Sequence, residues 1–243
     1  MFSVISSATA KKLRPAPLPP SLPTRIRSLD RILPYGGLPS GRLTQLSGHR
    51  CSGKRTLAAA ICAQVLKEEF AVWIDGRGSF YPLFSLEHAQ PLDRLLVVRP
   101  PSEKMDRPRA SGYGNKRNRK KSLHPVLKAA NILMQAGPAA AMIVIDLPPR
   151  IEISLPQLAR LRLNAQTSGT TLLLISEDLN RQSQDSLGAF VALHLRVQRQ
   201  VLKQRNTTRA IEVQIAKSKL GRMAQRTRVA FDAPHQLHLD TTL

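Results

Sequence analysis

Thr44-Gln45-Leu46-Ser47-Gly48-His49-Arg50-Cys51-Ser52-Gly53-Lys54-Arg55-Thr56-Leu57 carries the reading of this chain. A turn-rich lead, Gly36-Gly37-Leu38-Pro39-Ser40-Gly41-Arg42, comes before it. A helical pattern follows, with apolar residues at Ile61, Val65 and Leu66. The order is a short apolar strand, a loop bounded by glycines, then a helix. Such a loop can turn its backbone N–H groups inward on an anion, and the helix adds free donors and a partial positive charge. Residues 48–54 fit G-x-x-x-x-G-K, from Gly48 through Ser52 and Gly53 to Lys54, which would reach the outer phosphates of a nucleotide. Arg55 stands where this motif carries a Ser or Thr hydroxyl for magnesium. Three readings stay open: a working phosphate loop, a loop that keeps the fold without the activity, or a glycine-rich turn with a solvated Lys54.

Working outward, residues 43–46 predict the first core strand and residues 56–69 the helix behind the loop. Ala71-Val72-Trp73-Ile74-Asp75 is a second strand, apolar on both faces as a buried parallel strand requires. Further strands are expected over residues 92–99, 142–146 and 171–177, the last two ending in Asp146 and Glu177. Helices are expected over 125–137 and 154–166, the second introduced by Ser154 and Pro156. The last third alternates over 192–199, 211–218 and 226–231. There Leu193, Leu195 and Val197 share one face and Arg196 takes the other. The fold class is α/β: a mainly parallel sheet flanked by helices, with antiparallel strands closing one edge. The expected core spans residues 24–231. A Pro-rich, extended and flexible arm over residues 1–23 precedes it and a tail over residues 232–243 follows. Phe2-Ser3-Val4-Ile5 in the arm reads either as a frayed end or as a strand that adds to a partner's sheet edge.

The 243 residues suit one domain of this kind, and a net charge of +21 with 4% aromatics points to a polyanionic partner, most often nucleic acid. Part of that charge lies in residues 100–124, a basic insertion without apolar periodicity that is expected to be disordered when free. Lys116, Arg117, Arg119, Lys120 and Lys121 within it, with Arg205 and Arg222 in later turns, are candidate contacts to DNA phosphates. A solvated basic face, or contact with a protein's acidic patch, is the competing reading. Cys51 and Cys62 lack metal-ligand spacing and read as reduced thiols. No stretch is apolar enough for a membrane span, and the first ten residues lack the basic region of a signal peptide, so a cytoplasmic protein is expected.

From Thr24 to Phe231 the order and spacing of motifs resemble the RecA recombinase core. Ser28-Leu29-Asp30 with Gly37-Leu38-Pro39-Ser40-Gly41-Arg42 resembles its entry, and Met142-Ile143-Val144-Ile145-Asp146 its Walker B strand. Thr171 to Glu177 resembles the strand ending in a phosphate sensor, and Ile215-Ala216-Lys217-Ser218-Lys219 the late Lys-x-Lys strand. The resemblance implies bound ATP and magnesium, with Lys217 and Lys219 reaching a neighbouring subunit's nucleotide and Asp146 on the metal, the competing reading being an Asp that caps the turn at Leu147-Pro148-Pro149. It also puts a water-activating Glu where this chain has Arg77, and a guanidinium cannot act as a base. Arg77 reads either as a residue of the site or as a solvated loop arginine, and in both cases the catalytic Glu is missing. The regions that would carry the family's two DNA loops are short.

Within that group the chain resembles the ImuA family, through its length, Trp73-Ile74-Asp75, Gly78-Ser79-Phe80-Tyr81-Pro82 and its basic end. That implies an accessory or scaffold role in damage-induced (SOS) mutagenic translesion synthesis in a bacterial, nucleoid-associated setting; Arg55, Arg77 and the shortened DNA loops point to little or no ATP hydrolysis. The implied partners are DNA, an ImuB-like inactive Y-family polymerase homologue, an error-prone replicative-type polymerase, and RecA or further copies of the chain. The alternatives are an active DNA-dependent ATPase of the RecA type and a SulA-like cell-division inhibitor.

Overall fold

A short, mainly apolar segment flanked by turn residues makes a strand that must be covered on both sides, and four five-residue strands are covered in this way. β3 (Leu43–Ser47), β4 (Ala71–Asp75), β6 (Met142–Asp146) and β7 (Thr171–Ile175) are buried at every position. They form the centre of an eight-stranded sheet in the order β10-β9-β8-β3-β7-β6-β4-β5. β5 is Leu95–Val98, β8 Leu193–Gln200, β9 Arg209–Ser218 and β10 Arg226–Phe231. From β8 to β5 all pairings are parallel, whereas β8, β9 and β10 pair antiparallel. The expected α/β architecture is the one observed. The computed structural model describes residues 20–82, 92–101, 124–136, 140–149, 151, 153–177, 187–200, 209–221 and 225–231.

Because side chains alternate along a strand, the sheet builds two cores. Leu46, Trp73, Val144 and Leu173 face α2 (Lys54–Val65), together with the inward row Leu193, Leu195 and Val197 of β8. Leu43, Ile74, Ile145 and Leu172 face α3 (Pro125–Gln135) and α4 (Leu155–Ser168). α4 starts with a capping box between Ser154 and Gln157 and stops at Gly169, whose φ of 73° suits the left-handed cap. Asn164 donates to Asn131 at 2.7 Å and Asn131 to Leu127 O at 2.9 Å, so the pair fastening α4 to α3 is internally satisfied.

Several expected boundaries shift. The helix behind the loop ends at Val65 rather than near residue 69, and residues 92–94 form a 3-10 turn ahead of a shorter β5. A short strand also lies just ahead of residue 24. β1 (Ser21–Leu22) pairs antiparallel with β2 (Leu38–Pro39), ahead of and behind the six-residue helix α1 (Arg27–Ile32). Asp30 fixes that entry by accepting from Thr24 Oγ1 at 2.6 Å, Thr24 N at 3.0 Å and Arg25 N at 2.9 Å. The arm through residue 19, most of the basic insertion and the tail lie outside the described residues. So do Lys116, Arg117, Arg119, Lys120, Lys121, Arg205 and Arg222.

Candidate phosphate-binding site

β3 ends at Ser47 and α2 starts at Lys54, so the six residues between them lie at the carboxyl ends of the parallel strands, where open α/β sheets bind ligands. Two glycines shape this loop. A Cβ on Gly48 would lie 2.3 Å from Val197 O, and one on Gly53, at φ 90°, would lie 2.4 Å from Ile211 Cδ1. Gly53 occupies the N-cap without a side-chain cap, which leaves first-turn N–H groups of α2 without side-chain acceptors. Ser52 is buried, and its Oγ has no hydrogen-bond partner among the described residues.

Lys54 is not solvated. Its side chain is 6% exposed and its ammonium donates to Gly48 O and His49 O, both at 3.0 Å. The lysine thus closes the loop on itself. Burial, and then the charge of Arg77, lower its pKa below the usual lysine range.

Asp146 ends β6 and is 1% exposed. Arg55 Nε lies 2.8 Å from Asp146 Oδ2, and Arg55 Nη1 donates to Ser79 Oγ at 3.0 Å. Arg77 approaches the same carboxylate from the other side, its Nε 3.4 Å from Asp146 Oδ1. Neither oxygen of Asp146 accepts a well-aligned hydrogen bond, so the carboxylate does not cap the turn that follows it. Burial pushes its pKa up to about 6, outweighing the opposing pull of Arg55 and Arg77.

The solvated reading of Arg77 is corrected here. Its Nε donates to Leu147 O at 3.0 Å and its Nη2 to Glu177 Oε1 at 2.8 Å. The bond from Arg77 is the main cause holding the Glu177 carboxyl below its ordinary range. The loop after β4 brings Arg77 there. Gly76 N donates to Asp146 O at 3.1 Å, and a Cβ on Gly76 would lie 2.5 Å from that oxygen. Asp75 orders the same turn by accepting from Ser79 N at 3.2 Å and Phe80 N at 2.9 Å. Ser79, Leu147 O and the ordering role of Asp75 escape a reading of the sequence, although Gly76 and Gly78 flanking Arg77 mark the turn.

Gly48, Ser52, Gly53, Lys54, Arg55, Asp146 and Glu177 therefore meet at one end of the sheet, and Arg77 joins them. Lys217 and Lys219 do not. Lys217 pairs across from His194, and Lys219 N donates to Ala192 O, toward the end of the sheet where β3 begins. Lys219 Nζ donates to Ala189 O, and burial followed by the charges of Lys217, Arg162 and Arg42 lowers its pKa.

The loop suits a phosphate chain: glycine-shaped backbone, a helix start and a buried lysine. Magnesium fits poorly. The ion takes oxygen ligands in octahedral geometry. Here the hydroxyl of the motif is replaced by Arg55, whose cation already sits on Asp146. Among the described residues no cluster of three His, Cys, Asp or Glu could hold a metal. Nor is any described helix long and apolar enough to cross a membrane.

Comparison with known proteins bears on the fold that carries this loop. The RecA N-terminal domain family matches residues 20–106. Protein RecA of Fusobacterium nucleatum subsp. nucleatum is 31% identical over 138 residues, 55% of this chain and 31% of that protein. Protein RecA of Nautilia profundicola is 37% identical over 81 residues, 33% of this chain and 23% of that protein. The matched part of the chain thus spans less than a third of either relative. Among solved structures, the RadB recombinase superposes with a TM-score of 0.62 at 18% identity, over 86% of this chain and 94% of that one. The core is RecA-like, in sequence over its N-terminal part and in fold over nearly all of it.

Proposed function

We propose that this RecA-like chain is an accessory scaffold of damage-induced mutagenic translesion DNA synthesis, with a nucleotide site that hydrolyses little or no ATP. The observation that carries the loss of hydrolysis is the ion pair of Arg55 with Asp146 at 2.8 Å. Phosphoryl transfer depends on a placed metal and an oriented water. Arg55 takes the metal's carboxylate, and Arg77 stands where the resemblance expects a general base, with its guanidinium committed to Leu147 O and Glu177. Bound magnesium would supply charge stabilisation at the leaving phosphate. Without it this chain's own residues bind and orient a phosphate chain, with Lys54 and the loop N–H groups as donors.

The partners follow from charge and from the resemblance. A net charge of +21 favours DNA, read through its backbone. An ImuB-like polymerase homologue, an error-prone replicative-type polymerase, and RecA or further copies of this chain complete the proposed assembly in the bacterial cytoplasm. Lys217 and Lys219, remote from the chain's own loop, suit contact with another copy's nucleotide.

The test is ATP turnover with magnesium, with and without single-stranded DNA, for the wild type and Lys54→Ala, alongside DNA binding in the same samples. The expected result is DNA binding with wild-type turnover no faster than that of the variant. Turnover that DNA stimulates and Lys54→Ala abolishes would replace the scaffold by a working ATPase.

A further inference from the structure

A cation site and a carboxylate that should share magnesium are here joined to each other, which raises the question of what charge meets an incoming phosphate. Three side chains answer it. Lys54 is buried and, among the described residues, bonded to the loop's own carbonyls, Gly48 O and His49 O. Arg55 keeps Nε on Asp146 and Nη1 on Ser79, while its buried Nη2 has no hydrogen-bond partner among the described residues. Ser52, 5% exposed and within the loop, has an Oγ that is likewise unpartnered. An unsatisfied buried donor is costly, and a ligand oxygen beside it removes that cost. With Arg77 and Arg50 counted, four cations stand among the three carboxylates of Asp146, Glu177 and Asp75, so the cluster is positive before any metal enters.

We infer that this loop binds the phosphate chain of a nucleoside triphosphate without a divalent cation, with Arg55, held on Asp146 and Ser79, as the built-in replacement. The inference rests on reading residues 48–55 as a nucleotide loop and adds the way that loop neutralises its ligand. In this arrangement Lys54 leaves Gly48 O and His49 O for the phosphates, and the free Nη2 of Arg55 supplies a charged donor. The Asp146 carboxylate becomes the anchor of a guanidinium. A fixed arginine offers directed N–H donors where a hydrated ion offers exchangeable water, so binding is insensitive to chelators.

Calorimetric titration of the full chain with ATP tests this, in buffer containing EDTA and again in magnesium, with inorganic triphosphate and adenosine as separate ligands. The wild type is expected to bind ATP in EDTA within about threefold of its affinity in magnesium, and to bind triphosphate but not adenosine. Arg55→Thr, which restores the hydroxyl of the motif, is expected to lose about tenfold or more in EDTA, close to 1.4 kcal/mol, and to regain it with magnesium. Arg55→Gln, which offers neither the charge nor the metal ligand, is expected to be weak in both buffers. It also keeps the test intact if the threonine variant fails to fold by circular dichroism.

Wild-type binding that requires magnesium overturns the inference, as does Arg55→Thr binding equal to wild type in EDTA, or no heat from ATP in either buffer. The turnover assay answers separately. Magnesium-dependent binding without hydrolysis defeats this inference and leaves the accessory reading standing, whereas DNA-stimulated hydrolysis defeats that reading whatever the chelator does.

Discussion

Arg77 Nη2 donates to Glu177 Oε1 at 2.8 Å, a bond between residues 100 apart in sequence that ties the turn after β4 to the end of β7. The same guanidinium holds Leu147 O, so one side chain fastens the ends of three neighbouring strands. That arrangement is incompatible with a loop arginine waving in solvent, and it leads to the first expectation.

Arg77→Ala should destabilise the protein by roughly 1–3 kcal/mol, since it removes a charged donor from two acceptors. A double-mutant cycle with Glu177→Ala, read by urea denaturation, should give a coupling near or below about 1 kcal/mol because Glu177 is partly solvent-exposed. The Glu177 carboxyl sits below its ordinary pKa, so this stabilisation is present above the unfolded value and fades as pH falls through the folded one. Coupling that stays constant from neutral to strongly acidic pH would contradict the assignment.

Asp146 has the opposite sign. Burial raises its pKa from 3.8 to about 6, so the folded state holds this proton more tightly than the unfolded chain does. Ionised Asp146 therefore costs stability above pH 6 and ceases to do so below about pH 4. Asp146→Asn should raise Tm at pH 8, by an amount equivalent to a few kcal/mol at most, since a tenfold change in proton affinity is worth about 1.4 kcal/mol. The gain should vanish as the pH is lowered toward about 4, the ordinary carboxylate range. A lower Tm for the variant at pH 8 would show that the ion pair with Arg55 outweighs burial.

Two glycines make a paired comparison. Gly48→Ala sets a methyl 2.3 Å from the backbone oxygen of Val197, an atom that moves only with β8. Gly78→Ala meets nothing within 4 Å and bears only the strain of φ 67°. Thermal melts should show the first variant losing several degrees more than the second, whose cost is about 1 kcal/mol. Equal melting points would mean that β8 yields to the loop.

The cysteines offer a probe of the loop. Cys51 is exposed within it, whereas Cys62 is buried in α2, where burial pushes its thiol up to about 12. A maleimide should label one thiol in the native protein and two after denaturation, with Cys51→Ser abolishing the native reaction. Two thiols reacting at equal rates in the native state would place α2 less deeply than described.

The basic insertion bears on the proposed partner. Replacing Lys116, Arg117, Arg119, Lys120 and Lys121 by Gln should weaken DNA binding uniformly across sequences and flatten its dependence on salt. An unchanged salt slope would direct attention to a protein partner for that segment.

The sheet was legible in the sequence because β4, β6 and β7 are nearly continuous apolar runs, while β3, with Thr44, Gln45 and Ser47, was legible from the glycine loop that follows it. The loop was legible through Gly48, Gly53 and Lys54, whose spacing is local. What the sequence concealed is what long-range pairing decides. Arg77 finds Glu177 across 100 residues, and Arg55 finds Asp146 only because β3 and β6 flank the same strand, β7. β1 and β2 are two residues each, too short for any period to register. The end of α2 moved because residues 66–69 continue an apolar and charged composition that a turn also tolerates.

The bonds from Lys54 to Gly48 O and His49 O give the loop a resident occupant of its own. If the loop binds a phosphate chain as proposed, the anion must wait for the ammonium to let go, and its arrival is gated by a first-order step inside the protein. In a stopped-flow experiment the observed rate should climb with ligand concentration and then level off, and the plateau is the speed at which this chain releases its own lysine.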